Sequence, residues 1–171
     1  MNHYEMRRPK QALSEAEISA VIDRNSCGVL SLCGEDGVPY GVPLNYVYGD
    51  GCFYFHCGKK GRKIAILNEN KNASFCVIDK DTVIPEKFAT DYISVIASGV
   101  VETIDDEKEK YRTIRLLADR LGIDDDAAKE KEISSGFAAL TMLRFRVTEI
   151  TGKVGLYLRK KREDYFPELY R

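Results

Sequence analysis

The sequence predicts a mainly β protein of the α+β class, an antiparallel barrel or sandwich flanked by helices. Two observations carry that expectation. Apolar, aromatic and β-branched runs recur through residues 28–104 at roughly ten-residue spacing, separated by hairpin signals rather than by helices. Helical periodicity is confined to segments on either side of these runs and to one short piece between them. No linker rich in Pro, Gly or Ser divides the 171 residues, so a single domain spanning 1–171 is expected.

The elements follow in order. Residues 13–24 read as a helix: Ser14 and Glu17 form an S-x-x-E capping box, and Leu13 with Ile18 a hydrophobic staple. GVLSLC (28–33) is a strand that runs into the turn Gly34-Glu35-Asp36-Gly37. In residues 39–48, Tyr40, Val42, Leu44, Tyr46 and Tyr48 alternate with their neighbours, the period of a strand. Gly49-Asp50-Gly51 turns the chain into CFYFHC (52–57). Residues 62–70 form a short helix. Strands are expected at 74–78 and 91–104, with a loop at 79–90 that contains Pro85. Residues 106–121 are helical, with Ile114, Leu117, Ala118 and Leu121 on one side, and 124–133 form a second helical piece. Residues 137–150 return to alternation, Leu143, Phe145 and Val147 against Arg144 and Arg146. Residues 156–171 are a C-terminal extension that either packs at a dimer interface or is disordered.

Composition excludes several classes. A net charge of −1 and a pI near 6.2 argue against nucleic acid as partner. No run approaches the ~20 apolar residues of a membrane helix. The opening MNHYEMRRPKQ lacks an apolar signal core, so a cytoplasmic protein is expected. Five cysteines fit free thiols in a reducing compartment, most of them buried in apolar strands. Their spacing, with only two histidines, gives no metal pattern, so no metal is expected. No serine–histidine–acid set or carboxylate pair suggests a hydrolase.

Three features carry possible chemistry. His56 is followed by Gly-Lys-Lys-Gly-Arg-Lys, joining an apolar strand to a helix start. Glycines admit close approach to a ligand, and Arg62 and Lys63 at a helix N-terminus suit a phosphate. The alternative is a solvated basic loop. Pro43 lacks the N–H of a central ladder, which leaves either a bulge facing a ligand or an edge strand. His56 shares a strand face with Tyr54, opposite Phe53 and Phe55; it is either cofactor-facing or a histidine without function.

The ordered segments GVLSLCGEDGVPYGVPLNYVY, FYFHCGKKGRK, NENKNASFCVI, VIPEKFATDYISVIASGVVE and EITGKV span about residues 7–155. This set resembles the nitroimidazole-resistance branch of the pyridoxamine-phosphate-oxidase-related flavoproteins. The resemblance implies a split β-barrel, a homodimer, and FMN (alternatively FAD, less readily haem) bound at the dimer interface. It implies that Val42, Pro43, Leu44 and Asn45 lie along the flavin ring, and that His56 and Cys57 stand beside the ring and ribityl chain. Arg62 and Lys63 would hold the phosphate, and Ser94 would reach the partner subunit's cofactor. His56 becomes the one catalytic candidate, for reduction of a small nitro-aromatic or similar acceptor. The chain has no Trp and ends YFPELYR, unlike the substrate motif of the oxidase that makes pyridoxal phosphate, so that reaction is not expected. A flavin- or haem-binding sensor or storage module is the alternative, and an interaction role for the Arg/Tyr-rich tail a third.

Overall fold

The computed structural model describes residues 5–122 and 124–170; His3, the second histidine, lies outside them. Seven strands form one sheet: β1 Cys27–Cys33, β2 Pro39–Asn45, β3 Val47–Gly49, β4 Cys52–Gly58, β5 Asn72–Ile84, β6 Ala89–Thr103 and β7 Leu140–Val154. Their order is β2-β1-β5-β6-β7-β4-β3. The pairs β1–β2, β3–β4 and β4–β7 are antiparallel. The helices are α1 Glu15–Arg24, α2 Arg62–Glu69, α3 Glu107–Arg120, α4 Asp126–Gly136 and the single turn α5 Arg162–Tyr165.

Contacts group the chain into two compact units. One holds the described residues of Met1–Asn25, Cys76–Ile96 and Ile150–Arg171, the other Ser26–Phe75 and Ala97–Glu149. Strands β5, β6 and β7 contribute residues to both.

In the second unit, β2 packs beside β4 as well as pairing with β1, so the sheet closes on itself. Its interior is aromatic. Phe75 lies 5.3 Å from Tyr46, 5.0 Å from Phe53 and 4.9 Å from Phe55 by ring centroids. Those four rings and Phe145 are fully buried. The opposite face of β4 is covered too: Cys52 and Tyr54 pack with Met142, with Ile114 and Leu117 of α3 and with Ile133 of α4. That two-sided cover explains why CFYF is apolar without alternation.

The expected strand at 39–48 is interrupted. Tyr46 turns its ring into the core and donates its N–H to the Ser26 carbonyl at 3.1 Å, which ends β2 and starts β3. Pro43 pairs with Val29 in an unbroken register, so there is no bulge. β2 is an edge strand, which tolerates the missing N–H.

In the first unit, the capping box of α1 is complete, with Glu17 N–H on Ser14 and Ser14 N–H on Glu17. The expected loop at 79–90 is mostly strand. β5 runs to Ile84, one 3-10 turn covers Pro85–Lys87, and β6 begins at Ala89. The polar composition of this stretch hides the pairing, because both strands are largely exposed here.

The C-terminal extension is ordered. Phe166 is fully buried and Leu158 nearly so. Arg162 donates to Glu17 at 2.7 Å and to the Ala12 carbonyl at 2.6 Å, and the Tyr170 hydroxyl donates to Glu17 at 3.0 Å. Arg24 grips Asp79 bidentately (2.8 and 2.5 Å) with its guanidinium over the Tyr165 and Phe166 rings. Burial and the adjacent Asp79 carboxylate push the Tyr165 hydroxyl up to about 12.

Of the five cysteines, all free, only Cys52 is buried; Cys27 is exposed and the others half-buried. The expectation that most are buried fails because Cys27, Cys33 and Cys57 stand at strand ends and Cys76 lies on the face of β5 opposite the buried Phe75 and Val77.

Candidate functional site

The second unit brings together three stretches singled out in the sequence: β2, the end of β4 and the start of α2. The chain passes from β4 through Gly58-Lys59-Lys60 to Gly61, whose φ of +124° suits glycine and disfavours any residue with a Cβ. Gly61 is the N-cap of α2. No side chain caps this terminus, so its first-turn N–H groups remain available to an anion. Arg62 is the first helical residue, exposed, with its guanidinium 4.7 Å from the centre of the Tyr40 ring. That stacking ties the start of α2 to β2. Among the described residues neither Arg62 nor Lys63 pairs with a carboxylate.

Lys63 bears electrostatically on both His56 and Cys57. Burial and the Lys63 ammonium push the His56 imidazole below its ordinary 6.5. Both effects favour the neutral imidazole, which has one N–H donor and one lone pair. The Cys57 thiol moves up, burial outweighing the Lys63 charge. His56 registers opposite Met142 and Cys57 opposite Thr141. Along β2, Val42 and Leu44 are half-buried while Pro43 and Asn45 are exposed. Asn45 donates its side-chain amide to the Ser26 carbonyl at 3.1 Å. The second edge of β2 pairs with no strand, although β4 packs beside it.

Ser94 belongs to the first unit. It is half-buried and alternates with buried Ile93 and Val95, on the same face of β6 as exposed Ile96.

Two features were missed in the sequence. One is Tyr40 beneath Arg62, which no local motif signals. The other is a cleft of about 420 Å³ between the end of β4 and the α3–α4 hairpin, reaching His56, Cys57 and Gly58. The apolar side of 106–121 was legible; that it faces β4 was not. Several acidic residues of these helices, legible only as solvated, are engaged. Glu109 bridges Arg112 (2.7 Å) and Arg144 (2.8 Å), and Lys129 bonds Asp119 (2.6 Å) and Asp126 (2.9 Å). Arg115 pairs with Asp126 and Glu130.

The sequence pattern of the family described as pyridoxamine 5'-phosphate oxidase matches residues 14–154. The chain belongs to this family. Solved structures of the same fold include a candidate 5-nitroimidazole antibiotic resistance protein from Bacteroides thetaiotaomicron (TM-score 0.70, 22% identity, covering 84% of this chain and 86% of that one). An FAD-binding protein from Mesorhizobium loti aligns with TM-score 0.60 and 24% identity over 85% and 96% of the two chains. An FAD- and haem-binding protein from Mycobacterium smegmatis aligns with TM-score 0.69 and 20% identity over 86% and 74%. A comparison with functionally curated proteins gives no significant match. These likenesses establish the split-barrel fold. Among the described residues no helix is long and apolar enough to cross a membrane.

Proposed function

We propose that this family member binds FMN non-covalently and reduces a small acceptor of the nitro-aromatic kind, as a homodimer in the cytoplasm. The observation that carries the reading is the start of α2. Free backbone donors, a glycine N-cap, and the unpaired cations Arg62 and Lys63 stand together at the end of the strand bearing His56 and Cys57. That donor set fits a dianionic phosphate. Flavin would supply two-electron chemistry, which the side chains cannot.

In this reading Arg62 takes the phosphate with its planar fork and Lys63 as a point charge. The exposed edge of β2, from Val42 through Pro43 and Leu44 to Asn45, offers backbone groups to the ring. Taking a nitro group to a nitroso group consumes two electrons and two protons and releases water. His56, whose neutral form is favoured by burial and by Lys63, hydrogen-bonds and orients the acceptor rather than carrying the proton as imidazolium. Cys57 stands beside it. Exposed Ile78 and Ile96 on the outward face of neighbouring strands β5 and β6 support pairing with a second copy, which would bring Ser94 to the partner's cofactor.

The test is a visible spectrum of the purified protein and the mass of its released chromophore. An FMN mass is expected. An FAD mass would correct the nucleotide, a haem band would replace the reading with a haem-binding module, and a colourless protein that takes up no added flavin would refute it. Arg62→Ala with Lys63→Ala removes two charge-assisted contacts worth ~1.5–3 kcal/mol each. Flavin affinity should fall at least a hundredfold; unchanged occupancy would refute the phosphate assignment.

A further inference from the structure

The cleft between β4 and the α3–α4 hairpin shares His56 and Cys57 with the site proposed above and adds apolar walls that no step there uses. Its floor is the end of β4. Its walls are Ile114, Leu117 and Leu121 of α3, Ile133 of α4 and Leu140 at the start of β7, with His56 at one end. Its volume of about 420 Å³ lies near the lower end of the 300–1,000 Å³ typical of small-molecule sites. That is room for a one- or two-ring molecule and not for a dinucleotide.

The polar groups of the lining narrow the chemistry. The Lys129 ammonium faces Asp119 at 2.6 Å and Asp126 at 2.9 Å, so its charge is already matched. Glu132 at the rim opposes an anion. An anion would meet no free cation in this lining, and any charged ligand would lose hydration against its aliphatic side chains. His56 remains as the group able to make one directed hydrogen bond.

The hairpin is also built to hold its shape. Asp106 caps α3 and Asp125 caps α4, accepting from Glu109 N–H at 2.8 Å and Ala128 N–H at 3.0 Å. Arg115 and Lys129 lace the two helices together through Asp119, Asp126 and Glu130. The cleft is therefore pre-formed, which lowers the ordering cost of binding.

We infer that this cleft binds a neutral, flat, mostly apolar ring compound, its single hydrogen-bond acceptor directed at His56 and its ring held against Leu121 and Leu140, the more open of the aliphatic walls. As the seat of the reducible acceptor, the cleft rests on the flavin reading above; as a binding site it does not.

The experiment is an NMR titration of Ile- and Leu-methyl-labelled protein with nitrobenzene, run on the protein as purified and again after flavin addition. Saturable shifts are expected at the methyls of Ile114, Leu117, Leu121 and Ile133, with none at Ile18 and Ile22 of the other unit. 4-Nitrobenzoate should bind at least tenfold more weakly. Ala118→Phe, which fills the cleft, should abolish the shifts while flavin content stays unchanged. Should that variant fail to fold, the more exposed Leu121→Gln should weaken binding severalfold. Shifts confined to other methyls, nitrobenzoate binding as tightly as nitrobenzene, or wild-type binding by folded variants would overturn the inference. A protein that takes no flavin yet shows the cleft shifts separates the two claims: the proposed function fails and the site stands. Flavin binding through Arg62 and Lys63 with silent cleft methyls is the reverse outcome.

Discussion

Arg162→Met tests whether the C-terminal segment is held by a desolvated ion pair. The Glu17 side chain is fully buried, while that of Arg162 is 20% exposed. One Glu17 oxygen accepts from Arg162 and from the Ser14 N–H, both at 2.7 Å, and the other accepts from Tyr170 at 3.0 Å. Arg162 also donates to the Ala12 carbonyl at 2.6 Å. Methionine keeps the apolar stem and removes the charge and both donors. An exposed pair would cost ~0.2–1 kcal/mol to break. Breaking a buried pair from one side costs ~3–5 kcal/mol, because a charge is left uncompensated. Glu17 retains two donors, so the lower end applies, about 3 kcal/mol. With a urea slope of ~2 kcal/mol/M, the midpoint should fall by ~1.5 M in far-ultraviolet circular dichroism at pH 7. The double variant Arg162→Met, Glu17→Leu removes both charges and loses half of the capping box, ~1 kcal/mol. It should be more stable than the single variant. A single variant costing under ~1 kcal/mol, or a double variant less stable than the single, would refute the buried-pair argument.

Two further outcomes are expected. Gly99→Ala should destabilise by ~3 kcal/mol in the same assay, because the new Cβ would collide with the Arg146 carbonyl and with the Phe145 ring; backbone cannot yield as a side-chain tip can. A loss under ~1 kcal/mol would mean that β6 and β7 do not approach so closely there. Hydrogen bonds and charge from Arg112 and Arg144 hold the Glu109 carboxyl at about 2, below its ordinary 4.5. A lowered pKa stabilises the fold above the unfolded value and loses that contribution as pH falls from about 4.5 toward 2. Glu109 is a quarter exposed and Arg112 44% exposed, so solvent screening limits the effect to ~1 kcal/mol. Between pH 5 and pH 2.5, wild type should lose that much more stability than Glu109→Gln; equal losses would refute the assignment.

Much of the fold was legible because its signals are local. Ser14 and Glu17 are three residues apart, and a cap needs nothing further. Alternation in 39–45 follows from a strand with one wet face. Pro43 restricts its strand to an edge or a bulge, and only the register with β1 chose the edge. The ordered motifs around His56 and Arg62 pointed to one family, and the structure brings β2, the end of β4 and the start of α2 together.

What the sequence by itself determined were the features whose cause lies within a few residues: caps, periods, turns, and the cationic loop ahead of α2. Tertiary structure alone decided what each apolar face meets. Helical spacing marked Ile114, Leu117 and Leu121 as one side without saying that they wall a cleft ending at His56. Tyr46 breaks its strand because the core accepts its ring, which local alternation cannot show. The Arg- and Tyr-rich tail gave no pattern, since its partners Glu17, Arg24 and Asp79 lie far away in the chain. Periodicity reports that a surface is buried; the partner that buries it is a property of the whole chain.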